Sequence, residues 1–398
     1  MPIRSSSDAD VVIIGGGIAG MAAALVLARS GRHVVCVEPE RIPRARVGES
    51  LDWSAPQLLG QLDLSRDALI EDRIGTPKRE VHAFTSRGDR LVGGPPDWFR
   101  RWPLQFEALT LHVDRERFDQ RLFEAAIGAG VEFAWERVRT VGMIEDRISD
   151  CATSSGRRCR ARWYIDASGR SRVIGRAAHI GTQRWGCERI GLWRHRTSGV
   201  TFDGTALHFD DTAPDLLWAW EIPIDAERSS VGVVMPLTDF KDTRRETESL
   251  DEAMSHALRR FPSLDVNGLA GPTRARTFQS HVSERVVGAN WLVVGEAAAL
   301  VDPLSSSGVS TAMRHGVEAA ATIISAEESP ESLSRLLAGY EHRVTDVARL
   351  YNEAVERLLY DPQLRRRLSM RQAARAYVIL GYLTSAIYNL SLLHISEP

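Results

Sequence analysis

The chain has 398 residues, 43% hydrophobic and 26% charged, with a net charge of −2, which fits a globular protein large enough for two domains around one core. So small a charge excludes bulk electrostatic attraction to nucleic acid or to an anionic membrane. Cys36, Cys151, Cys159 and Cys187 form no C-x-x-C pair and have no histidine at metal-ligand spacing, which argues against a bound metal and for a reducing, cytoplasmic location.

Asp10 precedes the apolar run Val11-Val12-Ile13-Ile14, and Gly15-Gly16-Gly17-Ile18-Ala19-Gly20 follows. An Ala/Leu-rich stretch then leads to Val34-Val35-Cys36-Val37 and Glu38. This order predicts strand, glycine turn, helix, strand and acid. Gly15 permits the tight turn, Gly17 lets the backbone approach a pyrophosphate, and Gly20 lets the helix pack on the strand. The helix N-terminus turns N–H groups and a positive dipole end toward the phosphates. Glu38 stands where a carboxylate accepts from a ribose 2′-hydroxyl. The unit reads as an adenine-dinucleotide site.

Further along, 55–70 reads as a helix and 81–92 as strands around Ser86-Arg87-Gly88-Asp89. An amphipathic helix is expected over 114–130, with Phe118, Leu122, Phe123 and Ala126 on one side. Residues 131–163 read as a β-meander, expected to share one sheet with the N-terminal unit and the strand Trp291-Leu292-Val293-Val294. A strand-rich block over 181–274 is expected to cover that sheet. A Ser/Gly loop follows Gly295, then a helix near 311–325, and 331–398 is mostly helical. Segment 376–394 lacks Asp, Glu, Lys and Arg, but Thr384, Ser385, Asn389 and Ser391 favour a buried or interface helix over a membrane span.

Several motifs together resemble the flavoprotein group of single-component aromatic hydroxylases, geranylgeranyl reductases and flavin-dependent halogenases, over roughly residues 10–325. These are Gly15 to Gly20 with Glu38; Arg46-Val47-Gly48-Glu49-Ser50, similar to the group's FAD-contacting arginine loop; and Tyr164-Ile165-Asp166-Ala167-Ser168-Gly169, similar to its Asp-Gly motif. The last is Gly295-Glu296-Ala297-Ala298 with Val301-Asp302-Pro303-Leu304-Ser305-Ser306-Ser307-Gly308-Val309. Glu296 stands where the group usually has Asp. The resemblance implies FAD held by Gly15, Gly17, Gly20, Glu38, Arg46, Asp166, Glu296, Ser307 and Gly308. It also implies an α/β fold: a Rossmann-like FAD-binding domain with a βαβ core and β-meander over 8–85, 105–178 and 275–330. A mixed α+β substrate domain over 86–104 and 179–274 and a helical C-terminal segment over 331–398 complete it. Independently of the resemblance, the loop at 303–308 offers backbone N–H donors before a helix, suited to a flat ring or an anion.

No second glycine fingerprint for a nicotinamide is present, so electrons are expected from transiently docked NAD(P)H or a separate flavin reductase. Trp218-Ala219-Trp220-Glu221-Ile222-Pro223 matches the W-x-W-x-I-P pattern of flavin-dependent halogenases, and two indoles two residues apart on a strand share a face. Lys78, one of two lysines with Lys241, lies near where halogenases place an essential lysine; the amine there holds or relays hypohalous acid. Lys78, Trp218 and Trp220 are the candidate catalytic residues. Ser305 replaces the glutamate of tryptophan halogenases, which disfavours free tryptophan. Ser307 and Gly308 are placed to offer a halide their backbone donors.

The leading expectation is an FAD-dependent oxidoreductase that uses reduced flavin and dioxygen to modify an electron-rich aromatic, small or carrier- or protein-bound, by halogenation. The alternatives are an NAD(P)H-dependent aromatic hydroxylase, a flavoprotein oxidising residues of a partner protein to a quinone cofactor, and a prenyl-chain reductase. His179, His195, His208 and His281 are candidate bases among which spacing does not choose.

Overall fold

A computed structural model describes residues 9–41, 46–86, 90–93, 109–197, 204–210, 212, 215–367 and 372. The chain begins with β1 Ala9–Ile14, α1 Ile18–Arg29, β2 Val34–Val37, α2 Ala55–Gln61, α3 Arg66–Glu71, β3 Gly75–Lys78, β4 Glu80–Thr85, β5 Arg90–Gly93, β6 Thr110–Val113 and α4 Arg115–Gly128. Its middle holds β7 Glu132–Ala134, β8 Val138–Ile144, β9 Arg147–Thr153, β10 Arg158–Cys159, β11 Ala161–Asp166, α5 Val173–Ala177, β12 Thr182–Arg184, β13 Arg189–Thr197, β14 Gly204–Asp210, β15 Leu217–Pro223 and β16 Arg228–Pro236. It continues through α6 Leu237–Arg245, α7 Leu250–Leu258, β17 Leu269–Phe278, β18 His281–Ser283, β19 Val287–Gly288, β20 Trp291–Val293, β21 Ala299–Leu300, α8 Gly308–Glu328, α9 Leu333–Val355 and α10 Pro362–Arg367.

The apolar runs of β1, β2, β11 and β20 are buried because they form the centre of a parallel sheet ordered β19-β20-β11-β1-β2-β7. Only β19 runs against its neighbour there. Helix α1 leaves β1 through the glycine turn and packs along α8. Small residues permit this contact: a Cβ on Gly316 of α8 would stand 2.3 Å from the Ala19 carbonyl oxygen. The close approach brings the N-termini of α1 and α8 to one cavity.

A second sheet, ordered β17-β13-β16-β15-β14-β4-β5, lies beyond that cavity. Strand alternation divides its side chains. Trp218, Trp220 and Ile222 join one apolar cluster with Leu304, Val355, Leu359 and Tyr360. Leu217 and Ala219 join the opposite cluster with Met254, Ala257 and Leu258 of α7.

Four expectations change. Only part of the meander shares the Rossmann-like sheet: β7 pairs with β2 there and β11 with β1, while β8, β9 and β10 form a sheet of their own. Strand β4 was placed with the FAD-binding pieces, yet it pairs in parallel with β14 from Gly204↔Glu80 to Phe209↔Thr85. Strand β17, which straddles residue 275, pairs with β13 in that same sheet. Residues 55–70 are two short helices, because Asp63 takes a left-handed φ of 52° between them. The C-terminal helices reach the tryptophan cluster through Tyr351, Val355 and Tyr360. Segment 376–394 and most of 86–104 lie outside the described residues. Among the described residues no helix is long and apolar enough to cross a membrane, and no group of metal-ligating side chains gathers.

Candidate active site

One cavity runs between the two sheets. Gly17, Ile18, Arg46, Gly169, Glu296 and Gly308 line one part, and Ser50, Thr205, Trp218 and Trp220 another. Gly15 has φ +108°, and a Cβ on Gly20 would stand 2.0 Å from the Gly15 carbonyl oxygen. These two glycines hold turn and helix together, and Gly17 faces the cavity. Nothing lies nearer to a Cβ on Gly17 than the Arg46 guanidinium at 3.5 Å. Neither α1 nor α8 carries a side-chain cap, so their first-turn N–H groups suit an anion. This arrangement fits a dinucleotide with its pyrophosphate at α1 and Arg46.

The Arg46 loop is held from below. Buried Arg115 pairs with Asp119 through two hydrogen bonds (2.8 and 3.0 Å) and donates to the Val47 carbonyl at 2.9 Å. Glu38 accepts from the backbone N–H of Gly16 at 2.6 Å and of Glu40 at 2.9 Å, which fixes the acid at the end of β2.

Asp166 is fully buried and does not line the cavity. It accepts from the Ser168 hydroxyl (2.6 Å) and from the backbone N–H of Ser168 (3.1 Å) and Ile174 (2.7 Å). Burial raises its pKa, and those donors oppose the rise. Its task is to shape the turn that brings Ala167 and Gly169 to the cavity. Ser307 also stands off the lining, where its hydroxyl meets that of Ser305 at 2.8 Å. Ser306, left-handed at φ 60°, and Gly308 do line the cavity. Glu296 lines it between two arginines, accepting from Arg170 at 2.9 Å and from Arg276 at 2.6 Å.

At the other end, the Trp218 and Trp220 rings lie 5.8 Å apart and tilted by 47°. The Trp218 indole N–H donates to the Tyr360 hydroxyl at 2.9 Å, and that of Trp220 to the Ser230 hydroxyl at 3.2 Å. Gly232 makes room for the second ring, since a Cβ there would stand 2.2 Å from it. The Arg189 guanidinium lies over the Tyr360 ring at 3.5 Å and pairs with Glu356.

Lys78, at the end of β3, is 2% exposed. Its ammonium donates to the Ser50 hydroxyl at 2.9 Å and to the Leu51 carbonyl at 2.8 Å, and lies 5.5 Å from the Trp53 ring centre. Desolvation lowers its pKa to about 8, against the pull of Asp52. Lys78 does not line the cavity, but its partner Ser50 does.

A family model described as tryptophan halogenase matches residues 10–91 and 100–357. The chain belongs to that family. The tryptophan 2-halogenase of Chondromyces crocatus is 29% identical over 338 residues, covering 80% of this chain and 61% of that protein, so the chain spans about three fifths of that relative's length. The 1H-pyrrole-2-carbonyl-(peptidyl-carrier protein) brominase of Pseudoalteromonas luteoviolacea (strain 2ta16) is 28% identical over 327 residues, covering 79% and 77%. The solved structure of the flavin-dependent brominase Bmp2 shares the fold, with a TM-score of 0.76 at 23% identity over 98% of this chain and 99% of that one.

In this family member the structure gathers Gly17, Arg46, Glu296, Gly308, Trp218 and Trp220 around one cavity and sets Lys78 directly behind its wall. None of His179, His195, His208 and His281 lines it. The buried histidine that feels the charge of Lys78 is one that spacing did not single out, His112. A signal was present, because Thr76 and Lys78 of β3 alternate against Thr110 and His112 of β6. Four polar residues on one face of a two-stranded ribbon need a polar partner when buried. Tyr360 and Arg276 carried no comparable signal.

Proposed function

We propose that this chain is an FAD-dependent halogenase that uses reduced flavin and dioxygen to place a halogen on an electron-rich aromatic substrate, free or carrier-bound. The observation that carries the reading is a buried lysine one hydrogen bond behind a cavity that joins a dinucleotide site to a W-x-W strand. Gly17, the α1 N-terminus and Arg46, all at the cavity, would hold the pyrophosphate of FAD, and the loop of Ser306 and Gly308 would take its ring. Bound FAD, once reduced, supplies the electrons that turn dioxygen into an oxidant for halide. Trp218 and Trp220, which line the far part of the cavity, would keep water from the reacting groups. Lys78, whose ammonium stands behind Ser50 at the cavity wall, would supply the cationic donor that holds the oxidised halogen species and steers it to the aromatic carbon.

A separate flavin reductase is the electron source in this reading, in keeping with the single nucleotide fingerprint. The test supplies FAD, a flavin reductase with NADH, and bromide or chloride to a panel of electron-rich aromatics, free and carrier-tethered. Mass spectrometry should show halogenated product that disappears in Lys78→Met. Hydroxylated product formed with NADPH alone and no need for halide would replace this reading with the hydroxylase.

A further inference from the structure

Three more polar side chains stand with Lys78. The Ser50 hydroxyl lies 3.1 Å from the Thr205 hydroxyl, which lies 2.9 Å from Nε2 of His112. Ser50, Thr205 and His112 are 3%, 2% and 0% exposed. Ser50 and Thr205 border the cavity, while His112 lies behind them. With Lys78, these side chains come from four separate segments. Ser50 bridges to His112 at the edge of β6, Lys78 lies opposite Thr110 in the β3–β6 pair, and Thr205 lies on β14.

We propose that Ser50, Thr205 and His112 form a one-way hydroxyl chain that holds Lys78 as a hydrogen-bond donor toward the cavity wall, with His112 its positioning residue. The inference rests on the halogenase reading for the task of Lys78, and on geometry for the chain itself. An ammonium has donors only, so Ser50 Oγ must accept from it. The Ser50 proton then points to Thr205, whose own proton needs an acceptor. The Pro223 carbonyl lies beside the His112 ring, and Nδ1 has no hydrogen-bond partner of its own; we place the ring's N–H on that side, which leaves Nε2 to accept. Burial and the neighbouring Lys78 cation hold His112 neutral, well below its ordinary pKa. A neutral imidazole at the blind end therefore fixes every hydroxyl in the direction that serves the ammonium.

Few other groups compete. Asp52 is the acid that acts on Lys78, and its Oδ1 already accepts from the N–H and the hydroxyl of Ser54. Thr110 spends its hydroxyl on the Asp52 carbonyl. Trp53 turns its ring toward the ammonium. Removing the acceptor at His112 would let Thr205 turn its proton back to Ser50, and Lys78 would lose part of its acceptor.

The experiment reads Lys78 itself. With only two lysines in the chain, lysine labelled with carbon-13 at Cε gives two resonances, and Lys241→Arg assigns them. The pH titration of the Lys78 signal is followed in the full chain with FAD bound. His112→Phe should lower its midpoint by about one pH unit, the effect of weakening one charge-assisted hydrogen bond, and His112→Gln, which keeps an acceptor, should restore it. Thr205→Val should reproduce the shift and Thr205→Ser should not, which keeps the test decisive should a His112 variant not fold. Midpoints that coincide in every folded variant overturn the chain, as does an equal shift for phenylalanine and glutamine. Turnover plays no part in this readout, so failure to halogenate would sink the functional reading and leave the chain standing or falling on its titration.

Discussion

Replacing Lys78 with methionine separates what the residue does for chemistry from what it does to stability. Burial disfavours the charge of Lys78 and pushes its pKa down from 10.5 to about 8. At about 1.4 kcal/mol per pH unit, holding it protonated destabilises the fold by roughly 3 kcal/mol below pH 8. Methionine fills a similar volume without the charge, but leaves the Ser50 hydroxyl and the Leu51 carbonyl without their donor, a loss of about 1–3 kcal/mol. Near pH 7 these effects nearly cancel, so the variant should keep its fold and its flavin while losing halogenation. The pH dependence is the sharper test. Between pH 8 and 10.5 the unfolded wild-type chain binds the proton that the folded one releases, so wild-type stability rises relative to the variant. Urea unfolding of both proteins should show wild type gaining roughly 2 kcal/mol on Lys78→Met between pH 7 and pH 9.5. A stability difference that stays flat with pH would refute the claim that this buried lysine carries a desolvated charge.

Gly20→Ala places a methyl 2.0 Å from the Gly15 carbonyl oxygen; purified protein should hold FAD at least about tenfold more weakly by fluorescence titration, and wild-type affinity would refute the role given to the turn. Gly232→Ala drives a methyl to 2.2 Å from the Trp220 ring; overpacking of about 1–3 kcal/mol should lower Tm by several degrees and reduce turnover, and an unchanged Tm would contradict the tight fit. Glu296→Gln removes the negative charge between Arg170 and Arg276. These side chains are partly exposed, so stability should change by less than about 1 kcal/mol. Binding of the FAD pyrophosphate should tighten at low salt and return to the wild-type value at high salt, and weaker binding at low salt would count against the charge argument.

The dinucleotide end was legible because each requirement there maps to one residue type at fixed spacing. Gly15 needs positive φ, Gly20 needs no side chain, and Val11 to Ile14 must be apolar on both faces. The W-x-W strand was legible for a related reason, since period-two alternation sends both rings to one side. What escaped was whatever depends on long-range pairing. Nothing local tells β4 to align with β14 rather than with β2. Asp166 shows a subtler gap: the motif was visible, but that its carboxylate turns inward to shape a loop depends on the N–H groups of Ile174 and Gly175. Lys78 stood out because lysine is rare in this chain. Its partners Ser50, Thr205 and His112 come from segments far apart in sequence, and only the fold joins them.

Tyr360, which receives the Trp218 indole N–H, stands at the far end of a long helical run. Helix α9 has 23 residues, and hydrogen bonds from Tyr340 to the Val293 carbonyl and from Asn352 to the Leu300 carbonyl pin its course against the core. The run thus works as a ruler whose last mark falls on the aromatic pocket. Adding or deleting one residue after Asn352 would swing the phenol about 100° around the axis, breaking its alignment with Trp218 and with Arg189. Length drift in this distal segment would thereby rewrite the shape offered to a substrate without altering any residue of the tryptophan strand.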